Sequence, residues 1–238
     1  MPHPTYYVGD KKPSNRVPSV TTVLRNWGDK GGLIYWAHQQ GAEGISLQEA
    51  RVKACDAGTV AHSMIEQDLR GRVPRAELPE DYRGDPDGEE TKVIVAAAEA
   101  GFRGFQTWKS GLSLSYLETE LSLVHPEHRY GGTIDCVALV EYMGKEALAI
   151  PDWKCANGTY PEHVYQLAAY RDLWEYHHPD KPVEYCFSCR FGKPGEGHSG
   201  GDFHQHGFTR EQMDIALDAF LAILKAYKLE AAVKRWVR

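Results

Sequence analysis

Long apolar runs are missing from this chain: no stretch approaches the ~20 residues that carry a helix across a bilayer. Basic charge is not in excess either. Lys and Arg number 27 against 33 Asp and Glu, a formal net charge of -6. That excludes a uniformly basic, DNA-coating surface and confines any nucleic-acid contact to a local groove or to bound cations. It does not exclude an acidic site that requires a divalent metal. Cysteines are only five, an odd and sparse set, which argues against a disulfide scaffold and for a reducing compartment. Internal repeats and low-complexity tracts are missing too. The opening Met-Pro-His-Pro has neither the basic segment nor the apolar run of a signal peptide.

What is present is 238 residues, 42% hydrophobic and 11% aromatic, which excludes disorder for most of the chain. A chain of this length buries roughly 70–75% of its unfolded surface. The expectation is a soluble, cytoplasmic protein forming a single domain over 1–238, with a helical part at 1–110 and a sheet-bearing core at 111–238.

Along the chain, Tyr6-Tyr7-Val8 and Arg16-Val17 flank a polar turn and predict a short hairpin. Ser19 is placed to cap a helix over 20–27. Ser46-Leu47-Gln48-Glu49 is a capping box that predicts a helix start. Helical spacing resumes after Gly58 and runs to Arg70, with Gly71 as C-cap. Residues 72–90 are rich in Pro, Gly and acids and predict an exposed loop. An Ala-rich helix over 91–109 carries Phe102, Phe105 and Trp108 on one side. Alternation over 116–124 puts Leu117, Leu121 and Leu123 on one face of a strand and Glu118, Glu120 and Ser122 on the other. Apolar runs at 133–140 and 147–150 flank Tyr142-Met143-Gly144-Lys145 as a hairpin. A helix over 161–176 has Pro161 in its first turn. A strand over 183–191 leads into a Gly/His-rich loop. Thr209 and Gln212 form a capping box, with Phe208 and Met213 as a hydrophobic staple, at the start of the last helix. The sum is a mixed α/β fold.

The chemistry concentrates in Gly132-Thr133-Ile134-Asp135 and Pro151-Asp152-Trp153-Lys154. In a strand, Asp152 and Lys154 share a face and Trp153 takes the other. Folding the hairpin about Met143-Gly144 sets Asp135 directly across from Asp152, with Cβ atoms about 4.5–5.5 Å apart. Two carboxylates that close need a proton or a cation between them. A hard cation such as Mg²⁺ fits, and a lysine on the same face can steady an attacking water or a phosphate. The plainer alternative is a turn-capping Asp135 and a surface ion pair between Asp152 and Lys154. On a helix, His62 and Glu66 share a face, so His62 is either a metal ligand or a satisfied structural histidine. Gln166 and Tyr170, again four apart, either hold a phosphate or base edge at the mouth of the site or tie the helix to the sheet.

Taken in order, Pro18-Ser19-Val20-Thr21-Thr22, Gly58-Thr59 with His62, Gly132-Thr133-Ile134-Asp135, Asp152-Trp153-Lys154 and Gln166 with Tyr170 resemble the PD-(D/E)XK nuclease superfamily. The similarity is to its RecB-like branch, the phage exonucleases and the mitochondrial genome maintenance exonuclease. The resemblance implies a restriction-endonuclease-like core, a central mixed sheet flanked by helices, and a Mg²⁺ or Mn²⁺ site of two ions. Asp135, Asp152 and His62 would be ligands, with the Trp153 carbonyl as another and Glu120 as a looser match to an acid on the preceding strand. Lys154 would be the catalytic lysine, and Gln166 and Tyr170 would position DNA. The implied activity is exonucleolytic, in phage-type DNA recombination, repair or processing. A structure-specific endonuclease, a silent DNA- or protein-binding module and a hydrolase of small nucleotides are the alternatives. DNA is the implied partner, with a single-strand annealing or other recombination protein as a second; an oligomer is compatible, and a membrane is not implied. The compartment would be the host cytoplasm if the chain is phage-encoded.

Some relatives carry an iron–sulfur cluster on four cysteines. Here Cys186 and Cys189 form a C-x-x-C with no cysteine after it, and Cys55 alone precedes His62, so no cluster is expected. No P-loop is present for a motor. His198, Asp202, His204 and His206 are expected in a solvated loop, and a zinc site joining two of those histidines to Cys186 and Cys189 is disfavoured by strand alternation. Lys225, Lys228, Lys234, Arg235 and Arg238 read as a solvated helix face.

Overall fold

The computed structural model describes residues 4–25, 27–28, 31–155, 158–191 and 203–237; the side chains of 32–33 and 48–54 are outside the description. The chain opens with a two-stranded hairpin of β1 (Tyr6–Tyr7) and β2 (Arg16–Val17), as expected. Helix α1 (Val20–Leu24) follows, with the Ser19 hydroxyl accepting the Thr22 N–H at 3.0 Å. It stops earlier than the apolar spacing suggested. Helix α2 (Gly31–Ala42) has no counterpart in the sequence reading. Helix α3 (Leu47–Leu69) begins where the capping box is, and it runs unbroken through Gly58. Gly71 closes it in the left-handed region, φ +69°. Helix α4 (Glu89–Ser110) lies beyond the loop.

Five strands form one sheet in the order β3 (Leu114–His125), β4 (Tyr130–Tyr142), β5 (Lys145–Lys154), β6 (Tyr185–Phe191) and β7 (Phe203–Phe208). β3, β4 and β5 are an antiparallel meander. α5 (Pro161–His177) is the crossover that makes β6 parallel to β5, and β7 returns antiparallel, so the sheet is mixed. α6 (Arg210–Val233) ends the fold, with Thr209 and Gln212 closing the capping box. The fold class is therefore mixed α/β, a central mixed sheet flanked by helices.

Each face of the sheet has its own core. On one, α1, α5 and α6 pack Val23, Leu173 and Phe220 against Tyr130, Ile134, Val137 and Ile150. On the other, α3 and α4 pack Ile65, Phe102, Phe105 and Trp108 against Cys136, Ala138, Trp153, Phe187 and Phe191. Cys186 belongs to the first and Cys189 to the second, the opposed facing that alternation requires.

Three expectations need correction. Leu117 does not face the core: a bulge between Tyr116 and Glu118 shifts the β3 register and leaves it 41% exposed. His204 and His206 lie on β7 rather than in a loop, because an antiparallel return covers β6; His198 and Asp202 are outside the described residues. The hairpin register also fails before it reaches the acids. Pairing runs as anticipated from Tyr142–Lys145 to Ala138–Ala149, and there the described pairing of β4 with β5 ends. β4 goes on with β3 to Tyr130, while β5 goes on with β6 to Lys154. Pro151 has no N–H to extend the ladder. The two central strands thus fork, and the fork is where the acids are.

Candidate active site

Trp153 anchors the fork. Its ring is buried among Phe105, Trp108 and Phe191, with centroids 5.5, 5.2 and 5.9 Å away. With the ring fixed, its backbone serves two site residues. The Trp153 N–H donates to Asp135 Oδ2 at 2.9 Å, and its carbonyl lies 3.2 Å from His62 Nε2. Asp135 therefore does not sit opposite Asp152 but reaches one residue further along β5. A carbonyl can only accept, so His62 carries its proton on Nε2 and, while neutral, keeps a lone pair on Nδ1. That Nδ1 is 3.8 Å from Asp135 Oδ2.

Glu120 completes this group: His62, Glu120 and Asp135 offer ligand atoms all within 4.8 Å of one another. Glu120 reaches it from an unusual backbone, φ +52° in mid-strand. Left-handed backbone at a residue other than Gly, Asn or Asp is strained, and such strain concentrates at functional sites. Burial, then repulsion from Asp135 and Glu66, pushes the Glu120 carboxyl up to about 8.

Asp152 is fully buried. Lys154 forms an ion pair with it, and beyond that pair neither carboxylate oxygen has a hydrogen-bond partner among the described residues. Burial raises the Asp152 pKa and Asp135 adds to the rise, with Lys154 opposing. Ser188, directly across on β6, is buried with its hydroxyl also unpartnered. Buried oxygens left this way call for a bound group. The donor set is several carboxylates and one imidazole, which suits a hard divalent cation such as Mg²⁺ or Mn²⁺. The residues present fit such an ion.

Gln166 and Tyr170 are bonded to each other, Nε2 to the phenol oxygen at 2.8 Å, and Tyr170 is buried. Its ring covers Gly132, where a Cβ would come within 2.7 Å of it. The pair thus ties α5 to the sheet beside the acids; burial, then Asp135 and Asp152, raise the Tyr170 pKa.

Three neighbours escaped the sequence reading. Arg70 bridges Glu66 and Thr119, and its four-residue spacing from Glu66 was the available signal. Thr119 gave no signal. His163 faces Lys154 from α5, and its place three residues after the cap was the clue.

No protein-family model matches the chain, and no curated protein is similar to it at a significant level. Among solved structures, it is similar to an alkaline exonuclease from Laribacter hongkongensis, LHK-Exo, at 15% identity. The same protein in complex with dAMP is 16% identical; the match covers 76% of this chain and 91% of that one, with a TM-score of 0.32.

Proposed function

We propose that the chain is a metal-dependent DNA nuclease of the PD-(D/E)XK type, acting as an exonuclease in phage-type recombination, repair or processing. The observation that carries this reading is the forked pair of central strands. There a buried Asp152 has no partner except Lys154, beside an Asp135 that shares a three-residue cluster with His62 and Glu120.

In this reading Asp135, Asp152 and His62 hold two Mg²⁺ or Mn²⁺ ions, joined by Glu120 and the second lone pair of the Trp153 carbonyl. When bound, the ions neutralise phosphate charge and act as Lewis acids. The chain's own groups do the rest. His62 acts through Nδ1, since the Trp153 carbonyl occupies its Nε2 proton. Lys154 shares its face with Asp152 and donates from Nζ to the attacking water or to a phosphate oxygen. Gln166, only half-buried, is the residue of this pair that would position DNA, and its bond to the buried Tyr170 fixes the amide. The net charge of -6 makes the cations part of how an acidic chain holds a polyanion. DNA is the proposed partner, with a recombination protein as a second, and the cytoplasm the proposed compartment. No described helix is long and apolar enough to cross a membrane.

End-labelled linear duplexes and covalently closed circles, incubated with Mg²⁺ or with chelator, test the reading. Wild type should degrade the linear DNA only, and only with metal. Asp152→Asn and Lys154→Ala, each checked for folding by circular dichroism, should lower the rate by about a hundredfold or more. Cut circles would make the protein an endonuclease. Inert wild type would make it a binding module, and turnover of free nucleotides alone a small-molecule hydrolase.

A further inference from the structure

We propose that Arg70 is a positioning residue: it braces α3 against β3 and holds Glu120 in the backbone conformation that brings its carboxylate to His62 and Asp135. The inference rests on reading that cluster as a divalent-cation site, and it adds the residue just past the end of α3, two turns on from His62.

Arg70 uses three separate nitrogens. Nη1 pairs with Glu66 Oε1, in the last turn of α3, at 2.9 Å. Nε donates to Thr119 Oγ1 at 3.0 Å, and Nη2 to the Thr119 carbonyl at 3.5 Å. An i, i+4 ion pair with a solvent-exposed arginine contributes little alone. The two bonds to Thr119 are different in kind, because Thr119 is buried and immediately precedes Glu120. Its carbonyl belongs to the peptide plane that the φ of Glu120 rotates. Pinning that carbonyl fixes the turn at Glu120, φ +52°, against its return to ordinary strand geometry. The bulge just before it, between Tyr116 and Glu118, has already loosened the β3 ladder there. The cluster is thus assembled from α3, the edge strand β3 and its neighbour β4, and Arg70, the residue just past the end of α3, bonds β3 to that helix. A lysine could keep the pair with Glu66 but lacks the planar fork for Thr119.

The test is Mn²⁺ binding by isothermal titration to the full chain after chelator treatment. Arg70→Met should weaken binding about 10–100-fold, as loss of a group that orients a metal ligand does. Arg70→Lys should recover little of it, and Thr119→Ser should bind as wild type does. In a Glu120→Gln background, itself weakened, Arg70→Met should add no more than about twofold. Wild-type affinity in Arg70→Met, or an equal further loss in the Glu120→Gln background, would overturn the proposal. Where Arg70→Met does not fold, Thr119→Val takes its place in the same cycle, and the same two results would overturn the proposal. A folded wild type that binds no Mn²⁺ would instead remove the cation reading itself, and Arg70's role with it.

Discussion

Glu120 is held against two opposing preferences at once: a left-handed backbone that glutamate disfavours, and a charge that burial and three neighbouring acids resist. Both stresses should relax in Glu120→Asn, since Asn tolerates positive φ and is neutral. Chemical unfolding in chelator at pH 8–9 should show the variant more stable by about 1 kcal/mol, while Mn²⁺ binding falls. A less stable variant would mean that the residue is structural. His163 shows the opposite tension. Burial and nearby Lys154 push its pKa down to about 4, and its Nδ1 accepts the Tyr160 N–H, a bond that protonation would break. The unfolded chain takes up that proton near pH 6.5 and the folded chain does not, so stability is lost as pH falls below 6.5. His163→Gln keeps a cap acceptor that does not titrate. Between pH 7 and 5 the wild type should therefore lose about 1–2 kcal/mol relative to this variant, a figure that allows for the site's partial exposure. Parallel denaturation curves at the two pH values check it. Asp135, Asp152 and Lys154 stood out at this scale by residue type and spacing, whereas His62 and Glu120 became candidates through the family resemblance. Arg70 and Thr119 were not legible, because their contact joins segments far apart in sequence.

The hairpin between β4 and β5 is the element that delivers the acids, and its turn shows why its sequence was readable. Met143 and Gly144 have φ of +53° and +75°, the pair of positive values that a two-residue turn matching strand twist requires. Gly144→Ala should destabilise by about 1 kcal/mol, and Met143→Asn should stabilise by a similar amount, read as opposite shifts in thermal midpoint. Equal effects of one sign would show that the turn is not setting the register. Counting back from such a turn works while both strands stay in one ladder, and it did from Tyr142–Lys145 to Ala138–Ala149. It fails past Ala138 because each strand is then held by its other neighbour, a competition that no local pattern encodes. Bulges hide in the same way: Leu117 keeps its place in the alternation but not its facing. α2 was missed for a different reason. Its Gly-Gly start is a poor helix former, and Ile34 and Tyr35 are exposed, so no apolar stripe announces it.

At the scale of the molecule, two cores share one sheet, and the sequence showed the sheet more clearly than the sharing. Phe105 lies in the part of the chain expected to be helical, yet it packs on Trp153 and Phe191 of the sheet, 5.5 and 5.9 Å between centroids. Trp153 in turn fixes the backbone that holds Asp135 and His62. If 1–110 and 111–238 make one domain, as the sequence leads one to expect, removing that ring must weaken both halves together. Phe105→Ala should lower stability by about 3–5 kcal/mol, the usual consequence of emptying a large buried aromatic site. The loss should appear as one transition at a lower temperature, with calorimetric and van't Hoff enthalpies still equal. A second transition near the wild-type midpoint would mean that the helical part unfolds alone. The domain would then be two units that meet at Trp153, and the acid cluster would depend on their docking rather than on a single fold.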